Sequence, residues 1–145
     1  MYRVREVDAF DEDTIELLTD LHTKTFLNSA PLPKFEVGHW WVACRRKTAV
    51  AFAGVVPATA IPDCGYFCRV GVVREHCGHG LQLRLMRAVE SRARRNGWRG
   101  IVSDTTDNLV SANNFIRAGY CLFEPPFPWG WAHTLYWRKR LSPML

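Results

Sequence analysis

The sequence predicts a single α/β domain of the α+β kind. Its sheet is mixed, with about seven strands, mostly antiparallel around one central parallel pair, and with helices on both faces. Three observations point there. The chain has 145 residues, 48% of them hydrophobic, which suits one domain over 1–145 with a real core. From Cys68 to Arg87 a β-branched run (Val70, Val72, Val73) passes through a glycine-bearing turn into the helical spacing of Leu81, Leu85 and Val89. A second strand, Gly100 to Ser103, feeds a second helix closed by Gly119.

The elements follow in order. Tyr2 to Val7 alternates and reads as an edge or outer strand. Asp11 or Asp13 caps a helix to about Phe26, with Ile15, Leu18, Leu21 and His22 on one face. Asn28 to Glu36, with Pro31 and Pro33, is a loop or a broken short helix. His39–Arg45 and Ala49–Pro57 form a hairpin through Arg46, Lys47 and Thr48. A proline-bearing loop, 57–63, leads to the strand that ends at Val73. The helix from Gly80 places Arg84, Arg87 and Glu90 off its apolar stripe and stops at Asn96-Gly97. A helix from about Leu109 to Ala118, a strand from Tyr120 to Phe123, an aromatic proline-rich excursion (124–133) and a last strand, Thr134–Arg140, complete the chain.

The turn Cys77-Gly78-His79-Gly80 sits between a strand and a helix N-terminus. The first amides of a helix lack internal partners, and the macrodipole adds roughly half a positive charge there. Glycines let a phosphate come close enough to receive those amides, so a diphosphate is the natural guest.

Asn108 to Tyr120 follows the second strand at a spacing that changes the weight of this turn. Together the two segments resemble the signatures of the GNAT superfamily of N-acetyltransferases. Val72 and Arg74 stand at its V-x-P places, and Cys77, Gly78, His79, Gly80, Leu81 and Gln82 fill the six loop places. Asn108, Phe115, Gly119 and Tyr120 keep the spacing of the second segment. Cys77 replaces the usual Arg or Gln, Gln82 the usual small residue, and Phe115 the usual tyrosine.

The resemblance implies a sheet splayed at its central parallel pair, with acetyl-CoA in the gap. Val72, Val73, Cys77 to Gln82, Asn108 and Phe115 are the implied cofactor residues. A main-chain amide near Val72 polarises the thioester, and the acetyl group passes directly to a primary amine of a small molecule or peptide. With phenylalanine at 115, protonation of the departing thiolate falls to water, Ser111 or Tyr120. Asp63, Glu36, Asp104, His39 and His133 are candidate bases and none stands out. Tyr66 and Cys68 lie where some members carry a glutamate. Trp129 and Trp131 are expected on the acceptor side, and Phe26, Phe35 and Trp40 divide between pocket and core. Two alternatives stay open: a non-catalytic acyl-CoA-binding or regulatory module, and a nucleic-acid-associated protein.

Composition bounds the partners. The net charge is +5, much of it in Arg84, Arg87, Arg92, Arg94, Arg95 and Arg99. No nucleic-acid motif accompanies these arginines, and cations near a helix C-terminus suit its dipole, so nucleic acid is not the expected partner. Cys64, Cys68, His76 and His79 are all metal-ligand types, but a strand separates the pairs and the spacing is not that of a zinc site; no metal is expected. Five cysteines without a CxxC pair read as free thiols. The N-terminus carries acidic residues and no apolar core segment, so it is no secretory signal, and no apolar run spans a bilayer; a cytosolic monomer or homodimer without membrane attachment is expected.

Overall fold

The computed structural model describes residues 1–141; the last four positions of the expected domain, 142–145, lie outside the described residues. Seven strands form one sheet in the order β1-β2-β3-β4-β5-β7-β6. They are β1 (Tyr2–Val7), β2 (His39–Arg45), β3 (Thr48–Pro57), β4 (Cys64–Val72), β5 (Gly100–Thr105), β6 (Cys121–Leu122) and β7 (Leu135–Arg140). Every neighbouring pair is antiparallel except β4 and β5, the central parallel pair. The three α-helices are α1 (Glu12–Phe26), α2 (Leu81–Arg95) and α3 (Leu109–Arg117).

The sheet has a core on each face. On one, Leu18 and Leu21 of α1 meet Trp40, Val42 and Phe52. On the other, Leu85, Met86 and Val89 of α2 pack with Trp41, Phe115 and Trp137. Adjacent strand residues point to opposite faces, so β2 sends Trp40 and Trp41 into different cores. Gly54 is the residue that permits this, since a side chain there would run into the Trp40 ring. Trp40 and Phe35 are therefore core, with the Trp40 indole N–H donating to the Phe35 carbonyl at 2.7 Å.

Element ends differ from expectation in instructive ways. The Asp11 side chain caps α1 by accepting from the Thr14 amide. The β2–β3 hairpin turns on Arg46 and Lys47 alone, with Arg46 at φ 58°, and Thr48 already belongs to β3. β4 begins at Cys64, directly after the proline-bearing loop, and β6 shrinks to two residues.

Glu90 is the clearest correction. Expected off the apolar stripe, it is buried and accepts from Lys139 of β7 at 2.9 Å. The same ammonium donates to the Ala118 carbonyl at the end of α3, at 2.6 Å. A buried carboxylate needs such a partner, and Lys139 thereby ties α2, α3 and β7 at one point.

Candidate functional site

β4 and β5 part soon after they meet. Their parallel register covers only Cys64↔Gly100, Gly65↔Ile101 and Tyr66↔Val102. Two local features open the gap. The β3–β4 register shifts so that Gly54 faces Arg69 while Val55 faces Phe67, leaving Cys68 as an extra residue that bends β4. The Ser103 hydroxyl then takes the Phe67 carbonyl at 2.7 Å, in place of a ladder bond. Beyond this point the edges of both strands face a cleft of about 820 Å³.

The far end of the cleft is the turn into α2. Gly78 and Gly80 adopt φ of 84° and 71°, conformations that cost other residues about 1–2 kcal/mol. The first backbone bond of α2 runs from the Arg84 amide to the Gly80 carbonyl. Among the described residues the amides from Gly78 to Leu83 find no acceptor, and a side chain built on either glycine would meet nothing. Several amides thus converge on open space at a helix N-terminus. Gln82 braces them against α3: its amide N–H donates to the Ser111 hydroxyl at 3.1 Å, and its carbonyl accepts from Asn114 at 3.0 Å. Asn108 caps α3 by accepting from the Ser111 amide.

The expected cofactor residues are distributed along this path. Val72, Cys77, Gly78, Gly80, Leu81, Gln82, Asn108 and Phe115 line the cleft. Val73 sits beside it, its amide bonded to the Val50 carbonyl. His79 turns its ring to Tyr2, with centroids 5.4 Å apart. The strands diverge at Phe67, five residues and roughly 16 Å of extended chain before Val72. The amides at the divergence are thus those near Cys68, and Val72 stands farther along β4, toward the turn into α2.

The candidate acids and bases separate cleanly. Ser111 faces the cleft, and its hydroxyl accepts from Gln82, which leaves its own hydrogen unengaged among the described residues. Tyr120 is core: its ring stands edge-on to Phe115 at 4.9 Å, and its buried hydroxyl has no partner among the described residues. Burial, and then Glu90, raise its pKa well above the usual tyrosine range, and its side chain is not among those lining the cleft. Of the candidate bases Asp63, Glu36, Asp104, His39 and His133, Asp104 alone lines the cleft. His39 is drawn to Glu6, and His133 to Asp107 on the outside.

Asp104 has company that periodicity does not reveal. Its Oδ2 accepts from the Tyr66 hydroxyl at 2.6 Å and from the Trp129 indole at 2.8 Å. Burial and then Asp104 push the Tyr66 phenol far up, and burial pushes the Cys68 thiol up to about 12, so both keep their protons. Trp129 packs edge-on against Tyr66 and Tyr136, Trp131 is 74% exposed, and neither indole lines the cleft.

Arg69 also lines the cleft, though sequence reading passed over it; a lone cation inside an apolar strand was its signal. Its Nε donates to His22 Nε2 at 3.3 Å, Nη1 to the Cys68 carbonyl and Nη2 to the Pro31 carbonyl. Burial and then Arg69 lower the His22 pKa, consistent with a neutral ring that accepts from the guanidinium.

Three of the arginines of α2 are engaged internally. Arg92 pairs with Glu6, Arg94 with Glu90, and Arg84 donates to the Tyr2 carbonyl. Among the described residues no cluster of three potential metal ligands occurs, and no helix is long and apolar enough to cross a membrane.

A model described as the acetyltransferase (GNAT) family matches residues 7–120. No curated protein matches the sequence. Among solved structures, the chain resembles a Klebsiella pneumoniae protein assigned to the acyl-CoA N-acyltransferases, with TM-score 0.74 and 21% identity over 98% of this chain and 99% of the other. It resembles a chain of the NatC complex bound to Gag peptide and CoA, with TM-score 0.76 and 15% identity over 97% and 99%. It also resembles the PaiA N-acetyltransferase of Thermoplasma acidophilum in complex with coenzyme A, with TM-score 0.74 and 10% identity over 97% and 99%. At these identities the likeness is one of fold.

Proposed function

The chain belongs to the acetyltransferase (GNAT) family, and from that premise we propose that it moves an acetyl group from acetyl-CoA to a primary amine by direct attack in a ternary complex. One observation carries the reading: the three-pair contact of β4 and β5, which leaves an open strand edge leading to the unpartnered amides of Gly78 to Leu83. The CoA complexes among the structures of like fold support the choice of co-substrate.

The residues present fit acetyl-CoA. The amides of Gly78 to Leu83 offer donors to a diphosphate. The β4 edge from Cys68 to Val72 can pair with the amides of the pantetheine arm as an added strand would. When bound, acetyl-CoA supplies an activated acetyl thioester. A backbone amide near Cys68 is placed to polarise its carbonyl. Asp104 Oδ1, which has no partner among the described residues, receives an N–H of the incoming amine. The ammonium first loses one proton to water at the open mouth; the amine then attacks the thioester carbon, the C–N bond forms, the nitrogen releases its second proton to water, and the C–S bond breaks. The departing thiolate takes a proton from water or Ser111. A CoA thiol is comparable to a free cysteine at about 8.5, so little acid help is needed.

Deprotonating a lysine-type amine near pH 7 costs over 4 kcal/mol, whereas an α-amino group near pKa 8 costs about 1 kcal/mol. Among the described residues no base stands out in the cleft, so this cost falls on water and on the amine's own pKa. The reading includes a cytosolic protein, monomeric or homodimeric.

Phe115 favours a second reading, a non-catalytic acyl-CoA-binding or regulatory module. Calorimetry with acetyl-CoA and thiol release against a panel of amines (peptide N-termini, lysine peptides, polyamines, amino acids) separate the two. Binding with turnover of some amine is the expected outcome. Binding without turnover of any amine leaves the module, and loss of both removes acetyl-CoA.

A further inference from the structure

The geometry points to an acceptor that is a small amino carboxylic acid, its carboxylate held by Arg69 and its amine by Asp104. This rests on the acetyl-transfer reading and narrows it.

Arg69 enters the cleft wall from β4 while Thr25, Phe26 and Ser29 of the α1 end line the same space. Its three engaged nitrogens meet only neutral acceptors, and among the described residues no carboxylate lies within 4.0 Å of it. A guanidinium carries five N–H donors, so two stay available in a fork already held in place. The Phe26 ring, 5.7 Å from the guanidinium carbon, covers one of its faces. A half-buried cation with neutral neighbours gains most from an anion that arrives with the ligand, and a planar fork suits a carboxylate.

Asp104 supplies the other pole. Its Oδ2 is fixed by two donors and Oδ1 is open, which suits an ammonium or amine N–H. The Tyr66 phenol lies within the influence of both charges, since Asp104 raises its pKa and Arg69 lowers it. One cation and one anion flanking Tyr66 complement a zwitterion. They do not match a polyamine, which would bring only positive charge to Arg69.

The competing account makes Arg69 a clip that pins the Pro31 carbonyl to β4. Matched acceptors decide between them. Wild-type protein is assayed by thiol release with ω-amino acids and α-amino acids, each beside its carboxamide, which keeps shape and removes charge. We expect kcat/KM to favour the acids at least tenfold. Arg69→Met should abolish that preference while acetyl-CoA affinity, measured by calorimetry, stays within twofold. Arg69→Lys, which keeps the charge without the fork, should retain part of it. Equal or better turnover of the carboxamides by wild type overturns this inference and leaves acetyl transfer standing. Acetyl-CoA binding with no thiol release for any acid or amine overturns both.

Discussion

At position 115 the sequence departs from its family in a single oxygen atom. The Phe115 ring is buried in a stack, parallel to Trp137 at 5.8 Å and edge-on to Phe67 and Tyr120. Phe115→Ala should therefore cost roughly 3–5 kcal/mol in chemical denaturation. Phe115→Tyr should leave the fold intact and hold kcat or raise it several-fold. A wild type that binds acetyl-CoA without acetylating any amine, beside an active Phe115→Tyr, would mark the natural chain as a binding module. Tyr66 poses a different question. Because its phenol and the Cys68 thiol stay protonated through neutral pH, neither should contribute a limb to the pH profile between about pH 6 and 9. Tyr66→Phe should shift kcat/KM but leave the pH of half-maximal activity in place; displacement of that midpoint would make the phenol a participant.

The turn into α2 depends on backbone conformation and the Lys139 junction on a buried charge pair. Gly80→Ala tests backbone strain alone, since its new methyl meets no atom, and should cost about 1 kcal/mol of stability. Gly80→Asp adds a negative charge among the free amides and should weaken acetyl-CoA binding tenfold or more beyond the alanine variant in calorimetry. Equal affinities for the two variants would remove the diphosphate from this turn. At the junction, Lys139→Met leaves the buried Glu90 carboxylate only the longer Arg94 contact at 3.9 Å and should destabilise by about 1–3 kcal/mol. Adding Glu90→Gln should restore much of the loss, and a strictly additive double variant would deny the coupling. The turn was legible in the sequence because glycine spacing and helix start are local signals. The junction was not: Glu90 looks like any charged helix residue until Lys139 arrives from 49 positions away. The same holds for Tyr66 and Asp104, brought together only by parallel strands that the intervening α2 connects. Arg69 gave a local sign, a cation between apolar strand neighbours, but its partners in α1 and the following loop did not.

The whole molecule is a sheet in two parts. β1 to β4 form one continuous antiparallel unit and β5 to β7 another, and three residue pairs join them along the sheet. That narrow seam would make a bound acyl-CoA a building material of the domain. Without it, the β4 edge from Cys68 to Val72 and the β5 edge from Ser103 to Thr105 are unpaired strand borders open to water. Their amides should exchange with deuterium well before those of β2 and β3, whose pairing is continuous on both sides. Saturating CoA should slow β4 and β5 selectively and raise the melting temperature, and at a hundredfold excess over Kd the gain is about 2.7 kcal/mol. Uniform protection across the sheet would mean that the seam is no weak line. A chain so made would be sturdiest when acyl-CoA is plentiful and most open to proteases when it is scarce, so its lifetime would follow the metabolic supply of its own co-substrate.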